Sequence, residues 1–367
     1  MTKDMAKGKS RRKAGRLAFE ANLLDGLADP VILIDDRRHV VDANMAAREL
    51  LGPNATGRDI ATLLDSPQIV TAVDAALKGE AKAQGEVSLP LPVARTYEMR
   101  VWDLPARGPA KALWAMLILH DVTATRMAEQ MRADFVSNVS HELRSPLSSL
   151  VGFIETLKGP ARDDPKARAR FLNIMESEAQ RMTRLINDLL ALSKVESEKH
   201  LRPTGRVRLD RLVKDAVEAL AMRTEARKMS FEVRCPPDIP EVIGDTDELN
   251  QVLHNLFDNA IVYGHKGTVV RVAMTLTDTF PGSDKSGVAI RVENEGDGIG
   301  SEHLPRLTER FYRIDKGRSR SMGGTGLGLA IVKHIVGRHR GHLAIASTPG
   351  KNTVFTVYLP RAEDTPE

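Results

Sequence analysis

The chain has 367 residues, of which 42% are apolar and 28% charged, a length for two or three domains and a composition that excludes a wholly disordered protein. One cysteine, Cys235, excludes an internal disulfide framework and a Cys-rich zinc site, so a reducing, cytoplasmic setting is expected. The longest strongly apolar run, Leu113 to Leu119, is far shorter than the roughly 20 residues that span a bilayer, and no apolar leader-like segment opens the chain.

Residues 1–20 form a basic arm. Seven Lys or Arg stand there against Asp4 and Glu20, an excess that exceeds the +4 of the whole chain. A solvated tail is the plain reading. Contact with an anionic membrane surface is the alternative, and no aromatic residue interleaves the cluster to favour nucleic acid.

Residues 21–123 read as mixed α/β. Val31 to Ile34 and His39 to Val41 predict two short strands around the polar turn Asp35 to Arg38. Helices are expected over Met45 to Leu51 and Pro67 to Leu77. Strands are expected over Glu86 to Leu91, Thr96 to Trp102 and Leu113 to Leu119, with Pro105, Gly108 and Pro109 marking a loop. This order, with Asp42-Ala-Asn44 after the first hairpin, resembles a PAS sensor domain. The segment has no cysteine for a flavin adduct, and His39 and His120 read as ordinary strand histidines.

Residues 124–200 predict two long helices. Val136, Val139, Leu143, Leu147, Leu150 and Ile154 repeat at spacings of three and four, and so do Leu172, Met175, Ala179, Met182, Ile186 and Leu189. Gly159-Pro160 ends the first helix and Asp164-Pro165 opens the second. Two such stripes cannot bury themselves in one hairpin, so two chains are expected to form a four-helix bundle.

Residues 205–362 return to α/β. Helices are expected over Leu209 to Ala226, Glu248 to Val262 and Ala330 to Ile335. Strands are expected over Phe231 to Arg234, Val269 to Leu276, Val288 to Glu293, Leu343 to Ser347 and Val354 to Leu359.

The most informative string is Phe135-Val-Ser-Asn-Val-Ser-His141-Glu142-Leu-Arg-Ser145-Pro146-Leu147. At about 100° per residue, His141 points some 150° away from the apolar stripe and into solvent. Ser145 shares its face one turn on. A solvated imidazole is substantially neutral near pH 7 and offers a ring nitrogen as nucleophile. Glu142 is adjacent and suited to accept from the other nitrogen. Pro146 removes one backbone bond and predicts a bend.

A second set of residues points to a nucleotide. Asn255 and Asn259 share a helical face. Asn294-Glu-Gly296-Asp-Gly298-Ile-Gly300 follows a strand. Gly323-Gly324-Thr325-Gly326-Leu327-Gly328 runs into a helix, where backbone N–H groups can approach phosphate oxygens. Neither glycine run matches a Walker loop or a dinucleotide fingerprint.

Together these strings resemble the phosphoacceptor box and the N, G1, F and G2 boxes of the sensor histidine kinases of two-component systems, most like their phosphate-regulon group. The F box is Glu309-Arg-Phe-Tyr-Arg313. The resemblance implies a multidomain α+β architecture: a PAS-like sensor (21–123), a dimeric helical hairpin forming a four-helix bundle (124–200), and a Bergerat-fold α/β sandwich that binds ATP (205–362). It implies that His141 takes a phosphoryl group from ATP, that Glu142 is the base and that Ser145 aims a water when the enzyme works as a phosphatase. Asn259 then holds Mg²⁺ and Asn255 supports it. Gly296 and Gly298 let the chain pass close to the adenine, and Gly324, Gly326 and Gly328 cradle phosphate. Tyr263, Asn294, Arg313, Thr325 and Leu327 complete the implied nucleotide set. Lys316, Arg318 and Arg320 extend a basic lid.

Two positions depart from the family. Asn294 stands where an aspartate usually reads the adenine, and Val262 stands where a lysine usually faces phosphate. They keep open a second reading, a phosphatase-dominant or weakly ATP-binding scaffold. An ATPase of the chaperone or topoisomerase kind leaves the His141 string unexplained. The implied partners are a response-regulator receiver and a second copy of the chain.

Overall fold

The computed structural model describes residues 24–80, 82–90, 94–105, 113–198, 200–315 and 324–362. The basic arm and the lid positions Lys316, Arg318, Arg320 and Gly323 lie outside the described residues. The chain divides into two compact units, Met1–Val136 and Ser137–Glu367.

In the first unit, β1 (Val31–Ile34), β2 (Val40–Ala43), β3 (Ala83–Leu89), β4 (Arg95–Pro105) and β5 (Leu113–Asp121) form one antiparallel sheet in the order β2-β1-β5-β4-β3. Helices α1 (Met45–Leu51), α2 (Ile60–Leu63) and α3 (Pro67–Leu77) connect β2 to β3. Alternate residues of β4 (Tyr97, Met99 and Val101) are buried, as are Leu117 and Leu119 of β5. Against them α3 places Ile69, Ala72, Val73 and Ala76, one helical face.

Buried Asn44 caps α1 by accepting from Ala47 N–H. It also accepts from Val31 N–H and donates to the Leu24 and Asp29 carbonyls, tying the segment before the sheet to the hairpin. The sequence did not announce α2, because four residues carry no periodic signal. His39 faces Asp35 at 3.7 Å and exposed His120 meets Asp29 at 2.9 Å, both as pairs at the surface.

The second unit takes in most of the hairpin, α4 (Thr123–Lys158) and α5 (Pro165–Ser197). Asp164 caps α5 through Lys166 and Ala167 N–H, with Pro165 in the first turn. Helix α4 continues through Pro146. After it come β6 (Arg206–Val207), α6 (Leu209–Ala219), α7 (Ala221–Ala226), β7 (Ser230–Arg234), β8 (Val242–Ile243), α8 (Thr246–Tyr263), β9 (Val269–Thr277), β10 (Gly287–Glu295), α9 (Gly328–Arg338), β11 (His342–Thr348) and β12 (Asn352–Pro360). The larger sheet has the order β11-β12-β10-β9-β7, with β7 parallel to β9 and the remaining pairs antiparallel.

The single helix expected over 209–226 is two helices. Leu220 N–H bonds to the Val217 carbonyl, three residues back, and this tight turn separates α6 from α7. Helix α8 buries Leu249, Val252, Leu253, Leu256, Phe257 and Ala260, and α9 buries Ala330, Ile331, Val332, Ile335 and Val336. Helix α9 packs on α8, on the sheet and on α5.

That last contact changes how the hairpin spends its apolar surface. Leu185, Leu192 and Val195 of α5 are buried within this one chain. Leu147 and Ile154 of α4 and Leu172, Ile186 and Leu190 of α5 stay largely exposed. The part of α5 that faces α9 is thus buried within one chain, and the bundle expected from two chains concerns the residues that stay exposed.

Charges reinforce the junction. Glu196 pairs with Arg310 and, at 3.5 Å, with His334. Arg338, almost fully buried, pairs with Glu198 at 3.0 Å, pairs with Glu248 of α8 and donates to the Leu201 carbonyl at 2.9 Å. Among the described residues no helix is long and apolar enough to cross a membrane.

Candidate functional site

His141 is exposed on α4, as its helical phase predicts, and Ser145 is exposed one turn away. Glu142 points elsewhere, because neighbouring helical positions diverge by about 100°. Its Oε2 accepts from Arg181 Nη2 of α5 at 2.5 Å and lies 3.5 Å from Arg313 Nη2. All three side chains are largely buried. Pro146, Met182, Leu185 and Thr325 close the surroundings. Two arginines, Arg181 and Arg313, thus flank the Glu142 carboxylate.

A cavity of about 770 Å³ lies beside α8 and α9. This is the size of a small-molecule site. Asn255, Asn259 and Tyr263 line it from one face of α8, together with Asp258 and Val262. Asn294, Gly298, Ile299, Thr353 and Phe355 line it from the sheet side. Arg313, Gly324, Thr325, Gly326 and Gly328 line it at the head of α9.

Two of the expected residues do not reach it. Leu327 is fully buried in the core, and its hydrophobic side chain anchors the glycine segment rather than a ligand. Gly296 faces the Tyr263 backbone, where a Cβ would come within 2.6 Å of the carbonyl oxygen. Gly298 does line the cavity, but its positive φ of 67° and its approach to Thr348 and Pro349 show that packing on the β11–β12 turn demands the glycine. Gly328 leaves room for Asn255, whose Oδ1 would sit 2.8 Å from any added Cβ.

Thr325 is engaged already. Its hydroxyl donates to Asp188 of α5 at 2.6 Å and accepts from Leu327 N–H at 3.3 Å. Burial pushes the Asp188 carboxyl above its ordinary range, against the pull of Thr325 and Arg184. Asp188, Asn187 and Arg184 also line the cavity, so the stalk helix forms part of its wall. Arg223 of α7 joins the wall and pairs with Asp258.

Sequence reasoning missed Arg181, Arg184 and Asp188. Their spacing of three and four puts them on one face of α5, and this polar interruption of an apolar helix was the available signal. It also missed Thr353 and Arg223, whose relevance depends on strand pairing and on a helix break.

Three family models match. His Kinase A (phospho-acceptor) domain covers residues 131–198. Histidine kinase-, DNA gyrase B-, and HSP90-like ATPase covers 244–363, and PAS domain covers 18–83. The phosphate regulon sensor protein PhoR of Pseudomonas aeruginosa is 33% identical over 97% of this chain and 78% of that protein. The sensor histidine kinase WalK of Bacillus subtilis is 31% identical over 98% of this chain, which spans 57% of WalK. Among solved structures, the Acinetobacter baumannii histidine kinase AdeS overlaps 61% of this chain and 98% of that one, at 26% identity and a TM-score of 0.47. The histidine kinase ThkA, solved with the response regulator protein TrrA, overlaps 94% and 99%, at 20% identity and a TM-score of 0.49.

Proposed function

Because this chain belongs to the sensor histidine kinases of two-component systems, ATP-dependent enzymes that phosphorylate histidine, we propose that His141 is the phosphoacceptor and that the cavity beside α8 holds the ATP. The observation that carries this is the pairing of an exposed imidazole with a cavity lined by Asn255, Asn259 and the glycine segment in one compact unit.

A ring nitrogen of His141 attacks the γ-phosphorus, the bond to the β,γ-bridging oxygen breaks, and ADP leaves. Positioning and electrostatics supply most of the acceleration. Glu142 accepts the proton of the other ring nitrogen, with Arg181 and Arg313 beside its carboxylate. The amide oxygens of Asn255 and Asn259 and the Asp258 carboxylate are hard oxygen donors on one helix face, a set that fits Mg²⁺. Mg²⁺ neutralises phosphate charge when bound, and Asn259 is the residue we assign to hold it. Arg184, Arg223 and Arg313 supply cations to a wall where Val262 offers none.

The phosphoryl group then passes to an aspartate of a separate receiver domain, which docks on the exposed face of His141 and Ser145. In the phosphatase mode Ser145 orients a water that attacks the receiver's aspartyl phosphate, freeing the carboxylate and inorganic phosphate. A second copy of the chain covers Leu147, Ile154, Ile186 and Leu190, completing a four-helix bundle. A cytoplasmic location fits the demand for ATP and the free thiol of Cys235.

Asn259→Ala is expected to lower autophosphorylation at fixed MgATP by at least about tenfold, since the side-chain oxygen assigned to Mg²⁺ is lost. Gly328→Ala, by crowding Asn255, is expected to weaken ADP binding about tenfold while thermal unfolding shifts by only a few degrees. Calorimetric ADP titration and radiolabel incorporation check both. If Asn259→Ala labels as fast as the parent chain, the cavity is not the ATP site.

A further inference from the structure

Asn294 combines two properties. It is only 4% exposed, and it lines the cavity. No hydrogen bond or ion pair engages its side chain among the described residues, although a buried amide ordinarily finds a partner. Its neighbours are committed to one another. Across the β10–β12 register Asn294 faces Thr353. Ser347 Oγ donates to the Asn352 carbonyl at 2.8 Å and accepts from Ile299 N–H at 2.9 Å. The only hydrogen of Ser347 is thereby used, so in the 2.8 Å Thr353–Ser347 contact Thr353 is the donor. Thr353 is left with lone pairs for a ligand, and Asn294 is left with both an acceptor and a donor.

An amide that no neighbour fixes is free to face either way. With its oxygen toward the ligand's amino group and its nitrogen toward a ring nitrogen, it matches the edge of adenine. Turned over, its nitrogen donates to a carbonyl and its oxygen accepts from a ring N–H, which matches guanine. Thr353 accepts from an N–H of either base. A carboxylate at the same place accepts only, so it cannot donate to the adenine ring nitrogen or to the guanine carbonyl.

We propose that Asn294 makes this nucleotide site dual, accepting guanine nucleotides beside adenine ones. The proposal rests on the cavity being the nucleotide site. It assigns purine selectivity to one amide in a polar cluster that is otherwise self-satisfied.

The test is competition by ADP and GDP for the purified full chain, read by displacement of a fluorescent adenine nucleotide. The parent chain is expected to bind GDP within about tenfold of ADP. Asn294→Ala, which keeps the backbone pairing with β12, is expected to weaken both to a similar extent. If the parent chain binds ADP but rejects GDP by 100-fold or more, or if Asn294→Ala leaves both affinities unchanged, the proposal fails. If neither nucleotide binds, the assignment of the cavity fails first.

Discussion

His141→Ala is expected to reduce incorporation of acid-labile phosphate from γ-labelled ATP to background, with ADP binding within a few-fold of the parent chain. The site on α4 is exposed, so removing the imidazole leaves no cavity and costs little stability. It removes the only nucleophile the reading allows. Glu142→Gln keeps the acceptor and loses the base, so its labelling rate is expected to fall on the order of 10²-fold while acid lability is retained. Denaturing gels after labelling, with and without acid treatment, check both. Label in the alanine variant at the parent level, with the same acid lability, would refute the assignment.

Arg338→Met is expected to destabilise the second unit by about 3–5 kcal/mol, the usual result of removing one partner from a buried ion pair. Arg338 serves Glu248, Glu198 and the Leu201 carbonyl at once, and the Glu248 side chain is almost wholly buried. Burial already pushes the Glu248 carboxyl above its ordinary range, with Arg338 pulling the other way. Without Arg338 the shift grows. A carboxyl raised in the folded state is tolerated when protonated, and the cost appears as pH rises through its folded pKa. The defect is therefore expected to shrink toward pH 5 and to be full near pH 8. Urea unfolding followed by circular dichroism at both pH values measures it. Arg338→Met with Glu248→Leu is expected to recover most of the loss, because no buried charge remains. A single variant within about 1 kcal/mol of the parent at pH 8 would show that water screens the pair.

Most of the architecture was legible because periodicity was strong. The long stripes of α4 and α5, the cap at Asp164 and the strands of both sheets follow from local pattern and burial. The break at Leu220 was hidden, since the helical pattern runs on through it and a single tightened turn makes the difference. The two-residue strands β6 and β8 are below any periodic signal. At the site, the asparagines of α8 and the glycines were readable as chemistry. The packing duties of Gly296, Gly298 and Leu327 were not, because they depend on chain segments distant in sequence. Arg181 and Asp188 show the same limit. Their charges read as a solvated helix face until α9 and the glycine segment are brought alongside.

The hydroxyl of Thr325 carries a single hydrogen, and Asp188 holds it. On the proposed ATP assignment, a phosphate oxygen that accepts this hydrogen bond draws it from Asp188, so ligand and stalk compete for one atom. Which bond Thr325 keeps is thus decided by which oxygen, the chain's own or the phosphate's, accepts more strongly.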